Sequence, residues 1–214
     1  MIEKLMSSNG RTHERVAQKL RTRQALLSAA RELAAQGKTP TVAQAADAAT
    51  VSRATAYRYF PTQEALLVEI PIDIAAPTIQ SLFDDDSAPH DPEDRAALVQ
   101  NALYDLVRDH ESEFRLFLRN TLLRALEDPD NTGEPFRGAR RSDLLDRALA
   151  PLEGELPASE IKQLTTALSM LVGIESMIVL RDVLRLSHAE ARAAGESAVR
   201  ALVRAARDRD RGGQ

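Results

Sequence analysis

"TVAQAADAATVSRATAYRYFPTQEALL", residues 41–67, decides how this chain is read. Val42, Ala45 and Ala46 recur at three- and four-residue spacing behind Thr39 and Thr41, which predicts a short helix whose small side chains let a neighbour cross at close range. A turn follows near Thr50. Ser52 then places a hydroxyl where it can cap the free amides of a second helix. That helix must end near Phe60, because Pro61 pushes the residue before it out of the helical region. Thr62 caps a further helix, "QEALLVEI", which Pro71 and Pro77 are expected to interrupt.

Two short helices joined by a tight turn have the logic of a helix-turn-helix. Val51, Ala56 and Phe60 take core-facing positions on the second helix, leaving Arg53, Ala54, Tyr57 and Arg58 outside. Arginine can donate two parallel bonds to a guanine edge, Thr and Tyr hydroxyls suit phosphate oxygens, and a small apolar group suits a thymine methyl. Core packing is the alternative for a tyrosine and a solvated face the alternative for an arginine, but two tyrosines within three residues cannot both point inward.

Charge is divided in the same way. Residues 1–63 hold ten Lys/Arg against four acids, a balance of +6, so the remaining residues carry −10 of the net −4. A basic head on an acidic body assigns polyanion binding to the head. Residues 1–20 read as a flexible basic arm, in which Arg11, Arg15 and Lys19, with Arg21 and Arg23 just beyond, either add phosphate or minor-groove contacts or act as a solubilising tail. From Arg21, Ala25, Leu26, Ala29, Ala30, Leu33 and Ala34 predict an amphipathic helix that stops at Gly37.

"TVAQAADAATVSRATAYRYFPTQEALL", with "RQALLSAARELAAQG" before it, resembles the DNA-binding segment of the TetR family of bacterial transcriptional regulators, over residues 21–68. The resemblance implies that Thr41 and Thr62 start their helices beside phosphates. It further implies that Arg53, Ala54 and Thr55 approach base edges and that Tyr57, Arg58 and Tyr59 contact bases or backbone. The family often has glycine where this chain has Thr50, which bears on the left-handed geometry of the turn, and lysine where it has Gln63, which removes one phosphate contact.

Beyond residue 68 the chain reads as a helical regulatory domain, 69–214. Helices are expected over Pro92 to His110, Glu111 to Leu126, Arg140 to Leu149, Ala158 to Leu186 and His188 to Arg207, with an acidic, solvated connection near residues 84–94. No strand is expected, so the fold class is all-α with about nine helices. "LTTALSMLVGIESMIVLRDVL" is apolar nearly all round and must be covered all round. A helix-turn-helix reader binds two half-sites, so one side of this helix is expected to meet a second copy. Met170, Ile174 and Met177, with Val199 and Leu202 of the last helix, are the expected homodimer contacts; a monomer's central core helix is the alternative. The resemblance also implies a pocket for a small-molecule effector among the body helices. Phe114, Phe117 and Leu171, with the polar Tyr104, Arg119, Asn120 and Glu175, are its candidate lining, and "PFRGARR", with Arg137, Arg140 and Arg141, is either an anion-receiving cluster or a basic loop.

Other function classes find little support. The chain has no cysteine, and His13, His90, His110 and His188 are scattered without metal-ligand spacing. There is no glycine-rich phosphate loop, no cofactor motif, no apolar run of membrane-spanning length and no signal-peptide pattern at the start. The expectation is a cytoplasmic, non-enzymatic, homodimeric regulator, a repressor, that binds a palindromic double-stranded DNA operator and releases it when an effector binds. Two rivals stay open: a helical enzyme or ligand-binding module with a degenerate head, and a DNA-binding regulator governed by a protein partner.

Overall fold

Ten α-helices follow one another in the described residues, 2–84, 88–127 and 140–212, of a computed structural model whose side chains are described over 17–84, 88–127 and 141–209. Arg11, Arg15, Arg137 and Arg140 lie outside the described side chains. Helix α1 (Ile2–Ala35) takes in the backbone expected as a flexible arm, which is continuous with the first head helix. It ends in a Schellman turn: Gly37 N–H donates to Ala34 (2.9 Å), Lys38 N–H donates to Leu33 (3.2 Å), and Gly37 takes φ +75°.

Helices α2 (Val42–Ala48) and α3 (Arg53–Tyr59) form the expected helix-turn-helix. Three capping hydroxyls fix its helix starts. Thr41 accepts from Gln44 N–H and Gln44 returns a bond to Thr41 N–H, Ser52 accepts from Thr55 N–H, and Thr62 accepts from Ala65 N–H at the start of α4 (Gln63–Ser81). Ala45, Ala46 and Ala56 are buried where the helices cross. Leu26, Leu27 and Leu66 are fully buried around them, each worth about 1.5–3 kcal/mol of transfer free energy.

Helix α4 is not interrupted. It runs through Pro71 and Pro77, although an internal proline removes a backbone bond and costs about 3 kcal/mol. Burial of Leu66, Leu67, Ile70 and Ile74 against the head offsets that cost. Two ties from α1 add to it, Arg23 to Glu69 (2.7 Å) and Gln24 to Asp73 (2.9 Å), one on each side of Pro71 in sequence.

The body core is built from α5 (Pro92–Asp109), α7 (Arg140–Leu149), α8 (Ala158–Ser169) and α10 (His188–Gly212), with Val99, Leu144, Leu145, Leu168, Val199 and Val203 at its centre. Helix α10 lies along α5. Arg200, Arg204 and Arg207 pair there with Asp94 (2.6 Å), Glu93 (2.8 Å) and Asp91 (3.2 Å). Helix α6 (Glu111–Glu127) carries Phe114 and Leu116 against the head core, so head and body share a packed boundary.

The long helix expected from Ala158 to Leu186 is broken. Gly173 takes φ +101°, and the segments Ala158–Ser169 and Ile174–Val183 meet at a 46° bend. The second segment is α9 (Ile174–Ile178) followed by a π-helical turn, Val179–Val183. Among the described residues no single helix is long and apolar enough to cross a membrane.

Candidate functional site

The outward face of α3 is formed as its spacing predicts. Ala56 and Phe60 are buried, Val51 and Tyr59 pack partly against the head core, and Arg53, Ala54, Tyr57 and Arg58 are exposed. Tyr57 and Tyr59 therefore divide: Tyr57 is 47% exposed, whereas Tyr59 leans on the core with the Arg58 guanidinium 5.8 Å from its ring centre. Thr55 is half-buried and its Oγ1 accepts from the Ser52 hydroxyl (2.9 Å).

The turn before α3 is a second Schellman motif. Val51 N–H donates to Ala46 (2.9 Å) and Thr50 N–H donates to Asp47 (3.3 Å), with Thr50 at φ 55°. The left-handed geometry is thus kept with a β-branched residue in the place that favours glycine.

Arg53 does not project alone. Its Nε donates to Asp47 Oδ1 (3.2 Å) and its Nη2 donates to Asp47 Oδ2 (2.8 Å), joining the last turn of α2 to the first of α3. This pair of hydrogen bonds holds the Asp47 carboxyl below its usual value and lifts the Arg53 guanidinium. Arg23, grouped with the basic residues of the N-terminal segment, is instead committed to Glu69, with its guanidinium 5.8 Å from the Phe60 ring centre.

Inside the body lies a cavity of about 300 Å³, at the lower end of the range for ligand sites. Helix α4 gives it Val68, Pro71, Ile72, Ala75 and Ile79. Leu103, Leu106 and Val107 of α5 and Phe114 and Phe117 of α6 add further apolar wall, and Ile174 one more piece beside the Gly173 break. Its polar end holds Ser142, Ser169 and an ion pair, Arg141 Nη1 to Glu175 Oε2 at 3.0 Å, with the same Nη1 donating to the Val172 carbonyl (3.1 Å).

Three of the seven candidate pocket residues, Phe114, Phe117 and Glu175, line this cavity. The other four lie elsewhere. Tyr104 is buried and shares a hydrogen bond with His188 Nδ1 (3.0 Å), and burial pushes its phenol up. Asn120 donates to its own helix at Leu116 (2.7 Å), Arg119 is exposed, and Leu171 packs on the body core. Sequence reading missed the α4 contribution entirely. The signal was present in "VEIPIDIAAP", whose apolar residues serve the head on one side and a second surface on the other.

The expected dimer contacts need correction. Met177 and Val199 are fully buried and Ile174 nearly so, all within the single chain, and Leu202 is half-buried against the body core. Met177, Val199 and Ile174 are covered by their own domain and have no surface left for a second copy, whereas Leu202 keeps part of its surface. Met170, at 71% exposure, is the one of the five that faces outward.

Residues 26–70 match the family described as bacterial regulatory proteins, tetR family. A tetR-family transcriptional regulator from Streptomyces coelicolor superposes with a TM-score of 0.62 at 20% identity, over 90% of this chain and 84% of that one. A chain described as a tetR family transcription regulator from Shewanella sp. PV-4 superposes with a TM-score of 0.54 at 17% identity, over 83% of this chain and 95% of that one. No curated protein matches the chain.

Proposed function

We propose that this chain, whose residues 26–70 match the tetR family of bacterial regulatory proteins and whose all-α fold resembles that of solved tetR-family regulators, is a homodimeric, ligand-responsive repressor. It binds a palindromic operator through α3 and lets go when a small molecule fills the body cavity. One observation carries the reading: α4 is shared between the two. Its Leu66, Leu67 and Ile70 are buried in the head core, while its Val68, Ile72 and Ala75 wall the cavity.

On DNA, Arg53, Ala54 and Thr55 approach base edges, Tyr57, Arg58 and Tyr59 hold bases or backbone, and Thr41 and Thr62 start their helices at phosphates. The effector is an apolar molecule with one polar group, matched to the apolar wall and the Arg141–Glu175 end of the cavity. It acts through its differential affinity for the arrangement of α4 that does not fit the operator. A second copy docks on the exposed Met170, Val179, Val183 and Leu184 and on the exposed small residues Ala193, Ser197, Ala201 and Ala205 of α10. Their four-residue spacing puts those small side chains on one side of the helix.

Selection of bound duplexes from a random pool tests the first half of the reading. An enriched inverted repeat supports it; no enriched sequence removes it. A thermal-shift screen of apolar metabolites, followed by release of the selected duplex, tests the second half, and a stabilising compound that leaves DNA binding unchanged counts against it.

A further inference from the structure

Among the exposed residues of α3, Arg53 is held in one direction by an acid from another helix. Arg53 donates to Asp47 through Nε and Nη2, the flank of a planar group with five N–H donors. The outer edge, made by Nη1 and the second N–H of Nη2, is left with the parallel geometry that fits N7 and O6 of guanine.

The Asp47 side chain is 59% exposed and that of Arg53 64%, so their pairing adds little to the stability of the fold. A carboxylate on a surface that meets phosphates also works against DNA affinity. Its gain is direction: a guanidinium already fixed loses less rotamer freedom when it docks on a base.

We propose that Asp47 is a positioning residue for base reading, aiming the outer edge of Arg53 at one guanine in each operator half-site. The proposal rests on the reading that α3 enters the major groove. Asp47 touches no base. It acts through Arg53, so its loss moves sequence preference at one position, an effect that a purely structural role does not produce.

The test is selection of duplexes from a random pool by the full chain and its Asp47→Ala, Asp47→Asn and Arg53→Ala variants, with melting curves for each. The wild type is expected to select an inverted repeat with one guanine per half-site that Arg53→Ala no longer prefers. Asp47→Ala is expected to lose preference at that same guanine, roughly tenfold against adenine, with the rest of the motif intact. Asp47→Asn, which keeps one acceptor oxygen, falls between. In an Asp47→Ala/Arg53→Ala double variant put through the same selection, Asp47→Ala adds no further loss of preference to Arg53→Ala. An Asp47→Ala or Asp47→Asn protein with native melting and undiminished preference at every position overturns the proposal, whether its overall affinity rises or stays the same. A wild type that selects no motif removes the DNA-reading function itself, a different failure from a wild type that selects a motif Asp47 does not influence.

Discussion

Arg23 and Glu69 stand 2.7 Å apart, tying α1 to α4 two residues before Pro71. Together with Gln24 and Asp73 they brace the helix across the one stretch where a buried proline removes a backbone bond. Both partners are more than one-third exposed, so the pair is worth only about 0–1 kcal/mol in stability. Glu69→Ala is therefore expected to leave the melting temperature nearly unchanged but to speed amide hydrogen exchange in α4 around residues 67–75. Unchanged exchange there would show that apolar burial alone holds α4 straight.

Thr50 carries a φ of 55° in a turn whose twin at the end of α1 uses Gly37. A left-handed non-glycine residue costs about 1–2 kcal/mol, partly offset because glycine loses about 0.5–1 kcal/mol more chain entropy on folding. Thr50→Gly should raise stability by about 0.5–1 kcal/mol, read as a higher melting temperature. A lower one would show that the threonine side chain compensates its own strain.

Gly173 is constrained twice. Its φ is +101°, and a Cβ there would sit 3.0 Å from Arg141 Nη1 and 3.3 Å from Glu175 Oε2. Gly37, at φ +75°, has nothing within 4 Å of an added Cβ. Gly173→Ala should therefore destabilise more than Gly37→Ala, and only the former should alter ligand affinity, because it pushes on the ion pair at the cavity end. Equal effects in denaturant unfolding would deny the cavity contact any weight.

Gly195 lets α10 press on the buried Gln100 of α5. An alanine Cβ would overlap Gln100 Nε2 and lie 3.0 Å from its Cδ, and Gln100 is 1% exposed with little room to withdraw. Gly195→Ala is expected to cost about 1–3 kcal/mol through overpacking. Adding Gln100→Ala should recover part of that loss, and additive losses in the double variant would place the strain elsewhere.

Sensitivity to acid is expected from Asp182, which accepts from Arg115 Nη1 (2.7 Å) and Nη2 (2.8 Å). The hydrogen bonds from Arg115 hold its carboxyl below the ordinary value. A depressed folded-state value gives stability that is present above about pH 4 and lost as pH falls through the folded value. Arg115→Met should flatten the decline of melting temperature below about pH 4. A variant with the same acid slope as the wild type would exclude this pair as its cause.

What was legible in the sequence follows from local chemistry. Thr41, Ser52 and Thr62 cap the helices their hydroxyls announce, Gly37 ends α1, and Ala56 and Phe60 face inward at helical spacing. The failures are tertiary. Pro71 did not stop α4, because burial and the α1 ties outweigh a local penalty. Gly173 was read through as helix, although its left-handed φ sets the bend that opens the cavity end. Apolar residues all round residues 164–184 announce coverage without saying what covers them, and for Met177 and Ile174 the cover is the chain's own domain. Tyr104 needed a polar partner and found His188, 84 residues away, a distance no spacing rule spans.

Titration of the full chain against its selected duplex shows whether the exposed face of α3 reads DNA. Two copies of the chain are expected per inverted repeat, with an affinity that falls steeply and log-linearly with salt and a loss of roughly tenfold to a hundredfold for Arg53→Ala on that duplex. Arg53→Ala and Tyr57→Ala proteins that bind as tightly as the wild type, or an affinity indifferent to salt, would contradict it.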